Sequence, residues 1–184
     1  MEDDLTSVLC DLITANHILH HHKVVDAFGH VSVRHPTNPL VYIMCGYIAP
    51  ALVSRSEDLI LYHVSDSSPV DPNARKGYSE RFFDGEVFRK YPTVNCVIHS
   101  HAEEVLPYVI SDVKMKAVYH MGGFLGNQGL KVFDIAPLYR PGDQQDMLVN
   151  NAKLGTALAE KSPTQELIVE IKLLFLCGDT DSPV

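Results

Sequence analysis

Closely spaced cysteines are missing from this chain. Cys10, Cys45, Cys96 and Cys177 lie far apart, each in an apolar stretch, and none belongs to a CxxC pair. That spacing argues against a disulfide scaffold and predicts buried free thiols in a reducing, cytoplasmic compartment. Basic runs are missing too. Fifteen Lys and Arg stand against 23 Asp and Glu, a formal net charge of −8 with His neutral, so neither nucleic acid nor an anionic membrane is an expected partner. No apolar run reaches the ~18 residues of a membrane span, and the opening MEDDLTSV is acidic where a secretory signal would be basic. There is no internal repeat, no low-complexity tract and no linker long enough to divide the chain. What is present is an ordinary globular composition, 46% hydrophobic and 21% charged over 184 residues, which fits one domain over 1–184 with a real core. The excess is in histidine, ten in all.

Leu5, Val8, Leu9, Leu12 and Ile13 share one face of a helix predicted over 4–20, behind an acidic start. Phe28 to Arg34 alternates and reads as a strand ending at His35-Pro36. Apolar runs at 40–48 and 58–64 predict two more strands, and the turn formers of 65–77 a loop. Ser79 is the expected N-cap of a helix over 80–90 that Pro92 stops, and a strand follows at 93–99. A helix is expected over 102–110, shortened or kinked by Pro107. Short strands are expected at 117–119 and 130–135, a loop at 137–143, a final amphipathic helix over 144–160, and a strand within 167–176. The early strands follow one another without intervening helices, which favours a largely antiparallel or mixed sheet covered by helices.

The sharpest local signal is His99-Ser100-His101, after the mainly apolar Asn95-Cys96-Val97-Ile98. Residues i and i+2 of a strand point to one face. Two imidazoles at a strand end are therefore placed to share a divalent ion at ~2.0–2.1 Å. On spacing alone the pair is as often structural as metal-binding. Glu80, at a helix start and followed by Arg81, offers a third ligand or a general base. His120, before Met121-Gly122-Gly123, is either a turn histidine or a site residue. His30 stands out in the tight strand entry Gly29-His30-Val31-Ser32. His20, His21 and His22 close a helix and cannot share one face of it. His17, His35 and His63 read as surface or strand residues.

Four segments taken together resemble the class II aldolase/adducin family: FGHVSVR (28–34), YSERFFDGEVFRKYPTVNCVIHSHAEEVLPY (78–108), VYHMGGFLG (118–126) and DMLVNNAKLGTALAEK (146–161). The resemblance spans about 5–161. It implies an α/β fold of three layers, α/β/α, around a central, mostly antiparallel sheet. It implies a homotetramer with active sites at subunit interfaces, and a divalent metal, zinc first and manganese or iron as alternatives. Two metal ligands of the family match His99 and His101, and its acidic base or ligand matches Glu80. The Tyr-x-Glu-Arg and Tyr-His-Met runs point to a branch of decarboxylases and related oxygenases acting on hydroxylated aromatic or pyridine carboxylates. Sugar-phosphate members carry a Thr-Pro-Ser-Gly-like loop. This chain has Ile43 to Pro50 there, with Ser79 alone before the glutamate. A phosphate cradle is poorly supported, and a small non-phosphorylated substrate is expected. The shared chemistry is cleavage of a C–C bond beside a carbonyl or hydroxyl, with the ion stabilising the enolate. Glu80 would move the proton, with His120 as a second catalytic candidate. Ser79, Arg81 and Arg34 are candidates for holding the substrate, the arginines through its carboxylate.

The tail departs from that pattern. The family's third metal histidine sits in an Arg-x-His-Gly segment after the last helix, whereas 162–184 contains no histidine. Three readings remain. The chain is a divergent or truncated product with weak or no metal binding; or His120 completes the site with His99, His101 and Glu80; or the fold persists as an inactive, oligomerising adducin-like protein. A site of two histidines and one carboxylate also suits non-haem iron, which keeps an oxygenase as a further alternative.

Overall fold

The computed structural model describes residues 2–111, 113–125, 132–161, 167–170 and 173–178. The apolar spacing of the N-terminal segment produces helix α1 (Glu2–His21). Three short strands follow, β1 (His30–Arg34), β2 (Val41–Cys45) and β3 (Leu59–His63). The strand expected from Phe28 starts two residues late. Asp26 Oδ1 accepts the N–H groups of Phe28 and Gly29 at 2.8 and 2.7 Å, which takes them out of the ladder.

Helix α2 (Arg81–Lys90) leads into β4 (Cys96–Ser100). Ser79 does not cap α2. The N-cap position is Glu80, whose side chain makes no capping bond. The helix expected over 102–110 is a 3₁₀ turn, Glu103–Val105, followed by one α-turn, α3 (Leu106–Val109), with Pro107 in its first turn. Residues 117–119 form no strand. A 3₁₀ segment, His120–Leu125, follows them. Of the strand expected at 130–135, β5 is Val132–Phe133, and residues 130 and 131 lie outside the described set. The last helix, α4, is Ala152–Lys161 rather than 144–160. Met147 has φ +60°, and Asn151 Oδ1 accepts the N–H of Leu154 at 3.0 Å, the geometry of an N-cap. That cap fixes the start eight residues later than the apolar spacing suggested. The apolar tail forms two strands, β6 (Leu167–Glu170) and β7 (Leu173–Gly178), paired antiparallel with Leu167 opposite Leu176.

Among the described residues seven strands make one sheet in the order β3-β2-β1-β4-β7-β6-β5, in which the β5–β6 pair alone is parallel. Side chains alternate between its faces. Val31 and Val33 of β1 and Cys96 of β4 share a cleft with Val8 and Leu12 of α1. Their neighbours His30 and Ser32 reach Asp84 of α2 on the opposite face. Helix α1 therefore covers one face of the sheet and α2 the other, with α4 packed against α2. Tyr42, Ile43, Met44, Phe83, Val97 and Leu158 are fully buried in the core. Of the cysteines, Cys45 is buried as expected, while Cys10 is exposed and Cys96 partly so. The side chain of Cys177 lies outside the described set. Among the described residues no helix is long and apolar enough to cross a membrane.

Candidate metal centre

His99 and His30 are cross-strand partners in the β4–β1 ladder. His101 follows the end of β4 with its side chain 27% exposed, whereas that of His99 is fully buried. Glu80 is the residue before α2, and the helix lies over this face of the sheet. These three side chains converge, offering ligand atoms within 4.8 Å of one another. Nε2 of His99 is 3.1 Å from Nε2 of His101 and 3.3 Å from Oε2 of Glu80. The second carboxylate oxygen of Glu80 accepts the N–H of Val149 at 3.4 Å.

The protonation states suit a cation. Burial pushes the His99 imidazole down to about 4 despite the Glu80 carboxylate beside it, so the ring is neutral at pH 7. Burial alone would raise Glu80. The hydrogen bond to His99, the nearby His30 and the Val149 N–H outweigh it and hold the carboxyl below its ordinary value. His101 is oriented from behind, because its Nδ1 lies 3.0 Å from Oδ2 of Asp26. With Nδ1 turned to that carboxylate, Nε2 is the ring nitrogen that faces His99. This is the carboxylate–histidine arrangement common behind metal ligands. Two imidazoles and a carboxylate form a donor set that fits zinc, manganese or iron. A cleft of about 730 Å³, lined by His20, His21, Lys23, Asp26, His101 and Glu103, opens beside His101.

Beneath these groups lies a layer of buried polar contacts. His30 Nε2 is 3.1 Å from Oδ2 of Asp84, and Ser32 Oγ donates to Oδ1 of Asp84 at 2.6 Å. Nδ1 of His30 faces the carbonyl of Phe28 at 3.3 Å. Both partners of the ring are acceptors. Burial opposes a charged imidazole here, but the Asp84 carboxylate outweighs it and raises His30 above its ordinary value.

The remaining residues singled out in the sequence are placed differently. Arg34 donates to the carbonyls of Val94, Pro39, Phe88 and Tyr91 and lies over the Phe88 ring at 4.9 Å. It ties β1 to the end of α2. Arg81 donates to the carbonyls of Ser67 and Tyr78 and lies over Phe82 at 4.5 Å. Both guanidinium groups are engaged in holding backbone. Ser79 is exposed, and so is His120, which stands on its own 3₁₀ segment and is not among the converging side chains. Asp26, Ser32 and Asp84 escaped the sequence reading. For Asp84 a signal existed, since it lies four residues after Glu80 and residues at that spacing share a helix face. For Asp26 none did, because its partner lies 75 positions away.

Residues 10–169 match the family described as class II aldolase and adducin N-terminal domain. The chain belongs to the class II aldolase/adducin family. It is 47% identical over 148 residues to the decarboxylase tropJ of Talaromyces stipitatus, a match covering 80% of this chain and 55% of that protein. The chain thus spans about half the length of this relative. Among solved structures, L-fuculose 1-phosphate aldolase from Glaciozyma antarctica superposes with a TM-score of 0.70 at 16% identity, covering 97% of this chain and 66% of the other. YgbL from Klebsiella pneumoniae gives 0.72 at 13% identity, covering 95% and 79%. These likenesses establish the class II aldolase fold, with its mostly antiparallel sheet between helices.

Proposed function

We propose that the chain is a metal-dependent carbon–carbon lyase of the class II aldolase/adducin family, a decarboxylase in preference to an aldolase, with Glu80, His99 and His101 as metal ligands. The observation that carries this reading is the convergence of those three donors, one neutral imidazole fully buried and a second aimed by Asp26. Identity to a protein named as a decarboxylase supports the choice of reaction. A divalent ion bound there supplies Lewis-acid stabilisation of the negative charge that develops on a substrate oxygen when the adjacent C–C bond breaks. Glu80 would be one of the residues holding the ion, and the Val149 N–H steadies its carboxylate through Oε1. His99 and His101 orient the site, and its buried side excludes water from that flank. The native metal is zinc in this reading, with manganese or iron as alternatives. The substrate is a small non-phosphorylated carboxylate, with a hydroxylated aromatic acid the first class to screen. Assembly into a homo-oligomer is part of the same proposal. His120, exposed on a segment flanked by exposed Val118, Tyr119 and Met121, would then act at a subunit contact.

The test is elemental analysis of the purified chain and of His99→Ala, followed by assay of carbon dioxide release from hydroxylated aromatic acids. About one zinc, manganese or iron per chain, lost in the variant, together with carbon dioxide release without oxygen uptake, is the expected result. Absence of bound metal after reconstitution would sink the enzyme reading in favour of an inactive, oligomerising family member.

A further inference from the structure

Two flat rings, His30 and Tyr78, are stacked beneath the candidate ligand His99. His30 and His99 leave the sheet on the same face, as register partners must. Their ring centroids are 4.6 Å apart and their planes 12° from parallel. Tyr78 stacks on His30 at 4.9 Å and 28°, so His30 is held between the two. Phe83 meets His99 at 5.8 Å. The edge of His30 is fixed as well, through Nε2 to Asp84 and Nδ1 to the Phe28 carbonyl, and Asp84 is fixed in turn by Ser32. His30, Ser32 and Asp84 are all fully buried.

Burying a carboxylate is costly even when it is paired, and an apolar trio of the same volume is often as stable or more so. The trio therefore has a use other than plain cohesion, and its location indicates which. Asp84 and Glu80 lie four residues apart, on the same side of α2. Glu80 meets His99 itself, and Asp84 meets the ring on which His99 is stacked. Rotation of His99 about its Cβ–Cγ bond would swing Nε2 away from Glu80 and His101. The flat face of a His30 ring that cannot itself turn opposes that rotation.

We propose that Asp84 and His30 are positioning residues of the metal centre: Asp84 clamps His30 edge-on, and the face of His30 sets the plane of His99 so that Nε2 is aimed at the ion before it binds. This rests on the reading of Glu80, His99 and His101 as ligands. The role is one of geometry. It acts on the metal through His99 and involves no contact with substrate.

The test uses the full chain with cobalt(II) as the probe metal, read by its visible absorption and by competition with a chelator. The wild type binds cobalt(II) with the spectrum of a histidine-containing site. Asp84→Asn keeps the volume and breaks the clamp on one side, because its single carbonyl oxygen cannot accept from both His30 Nε2 and Ser32 Oγ. It should bind cobalt(II) about 10- to 100-fold more weakly, the range typical when a partner of a metal ligand is lost, and with an altered spectrum. Its metal-free form should melt below the parent's, because a fully buried ring loses its carboxylate partner, so affinity and spectrum are compared on protein shown by circular dichroism to be folded. Ser32→Ala loosens Asp84 alone and should shift affinity and spectrum the same way by a smaller factor. It decides the matter if Asp84→Asn does not fold. Wild-type affinity and spectrum in the folded variant overturn the positioning role while leaving the metal site intact. Failure of the wild type to bind cobalt(II) overturns the ligand assignment, and the positioning role with it.

Discussion

Oδ2 of Asp26 lies 3.0 Å from Nδ1 of His101, across 75 positions of sequence. The contact joins the loop after α1 to the end of β4 and decides which nitrogen of His101 faces the site. The other oxygen of Asp26 holds the Phe28 and Gly29 N–H groups, so the carboxylate has little freedom to turn. Asp26→Ala is expected to weaken zinc binding by about 10- to 100-fold, measured by chelator competition on protein shown by circular dichroism to be folded. Asp26→Asn retains an acceptor for the Nδ1 proton and should lose less. Equal affinity in wild type and Asp26→Ala would show that His101 needs no orienting partner.

Glu80 is the residue whose role the geometry narrows most. As a remote proton shuttle it would sit apart from the histidines, yet its Oε2 is 3.3 Å from Nε2 of His99. Glu80→Gln is therefore expected to lose metal and lyase activity together. Elemental analysis of the variant checks this. Full metal content with a rate lowered by about 10²–10⁴, the usual size of a lost acid–base step, would instead assign Glu80 to proton transfer alone.

The parts of the molecule that were readable in the sequence are those governed by local spacing. The apolar stripe of α1 and the alternation of β1 predicted their elements to within a few residues, and His99-x-His101 presented both rings at one strand end. Where long-range contacts decide, spacing fails. The start of α4 depends on Asn151 as a cap and on Met147 in a left-handed conformation, although the apolar residues before it continue a helical pattern. The backbone carbonyls to which Arg34 and Arg81 donate were likewise not legible in the sequence. The tail looks like one strand, but β6 and β7 pair with each other antiparallel, and β7 lies beside β4.

Acid stability tests another buried carboxylate, Asp58. Oδ2 of Asp58 accepts the Ser54 N–H at 3.0 Å, and Oδ1 faces Nη1 of Arg75 at 2.7 Å. The Ser54 N–H, aided by Arg75 and opposed by burial, holds the carboxyl below its ordinary value. A carboxyl lowered in the folded state stabilises the protein above the unfolded value, about pH 4, and that stability is lost as pH falls through the folded value. Asp58→Asn should therefore be less stable than the parent at pH 7 and show a shallower fall in melting temperature on acidification from about pH 4 downward. Thermal melts between pH 7 and pH 2 check this. A variant with the parent's acid-side slope would remove Asp58 from the account.

The contact between α2 and α4 makes the sharpest stability prediction, because two effects of opposite sign compete there. Gly155 lies in the first half of α4, and alanine in a helix interior is favoured over glycine by about 1 kcal/mol. Propensity alone would make Gly155→Ala stabilising. A Cβ at that position, however, would stand 2.8 Å from the carbonyl oxygen of Phe82 and 3.0 Å from Cγ of Glu86. The first of these is α2 backbone and cannot swing aside as a side chain can. Relief requires the two helices to separate, and overpacking of this kind costs about 1–3 kcal/mol. The clash should win, with a melting temperature several degrees below the parent's. Because α2 carries Asp84 and begins beside Glu80, the same substitution should weaken metal binding as well. Gly123→Ala is the control, since a Cβ there meets nothing within 4 Å, and it should change stability by no more than about 0.5 kcal/mol. A stabilised Gly155→Ala would mean that α4 moves away from α2 at little cost, and that the helix bearing the carboxylates is less firmly held than its packing indicates.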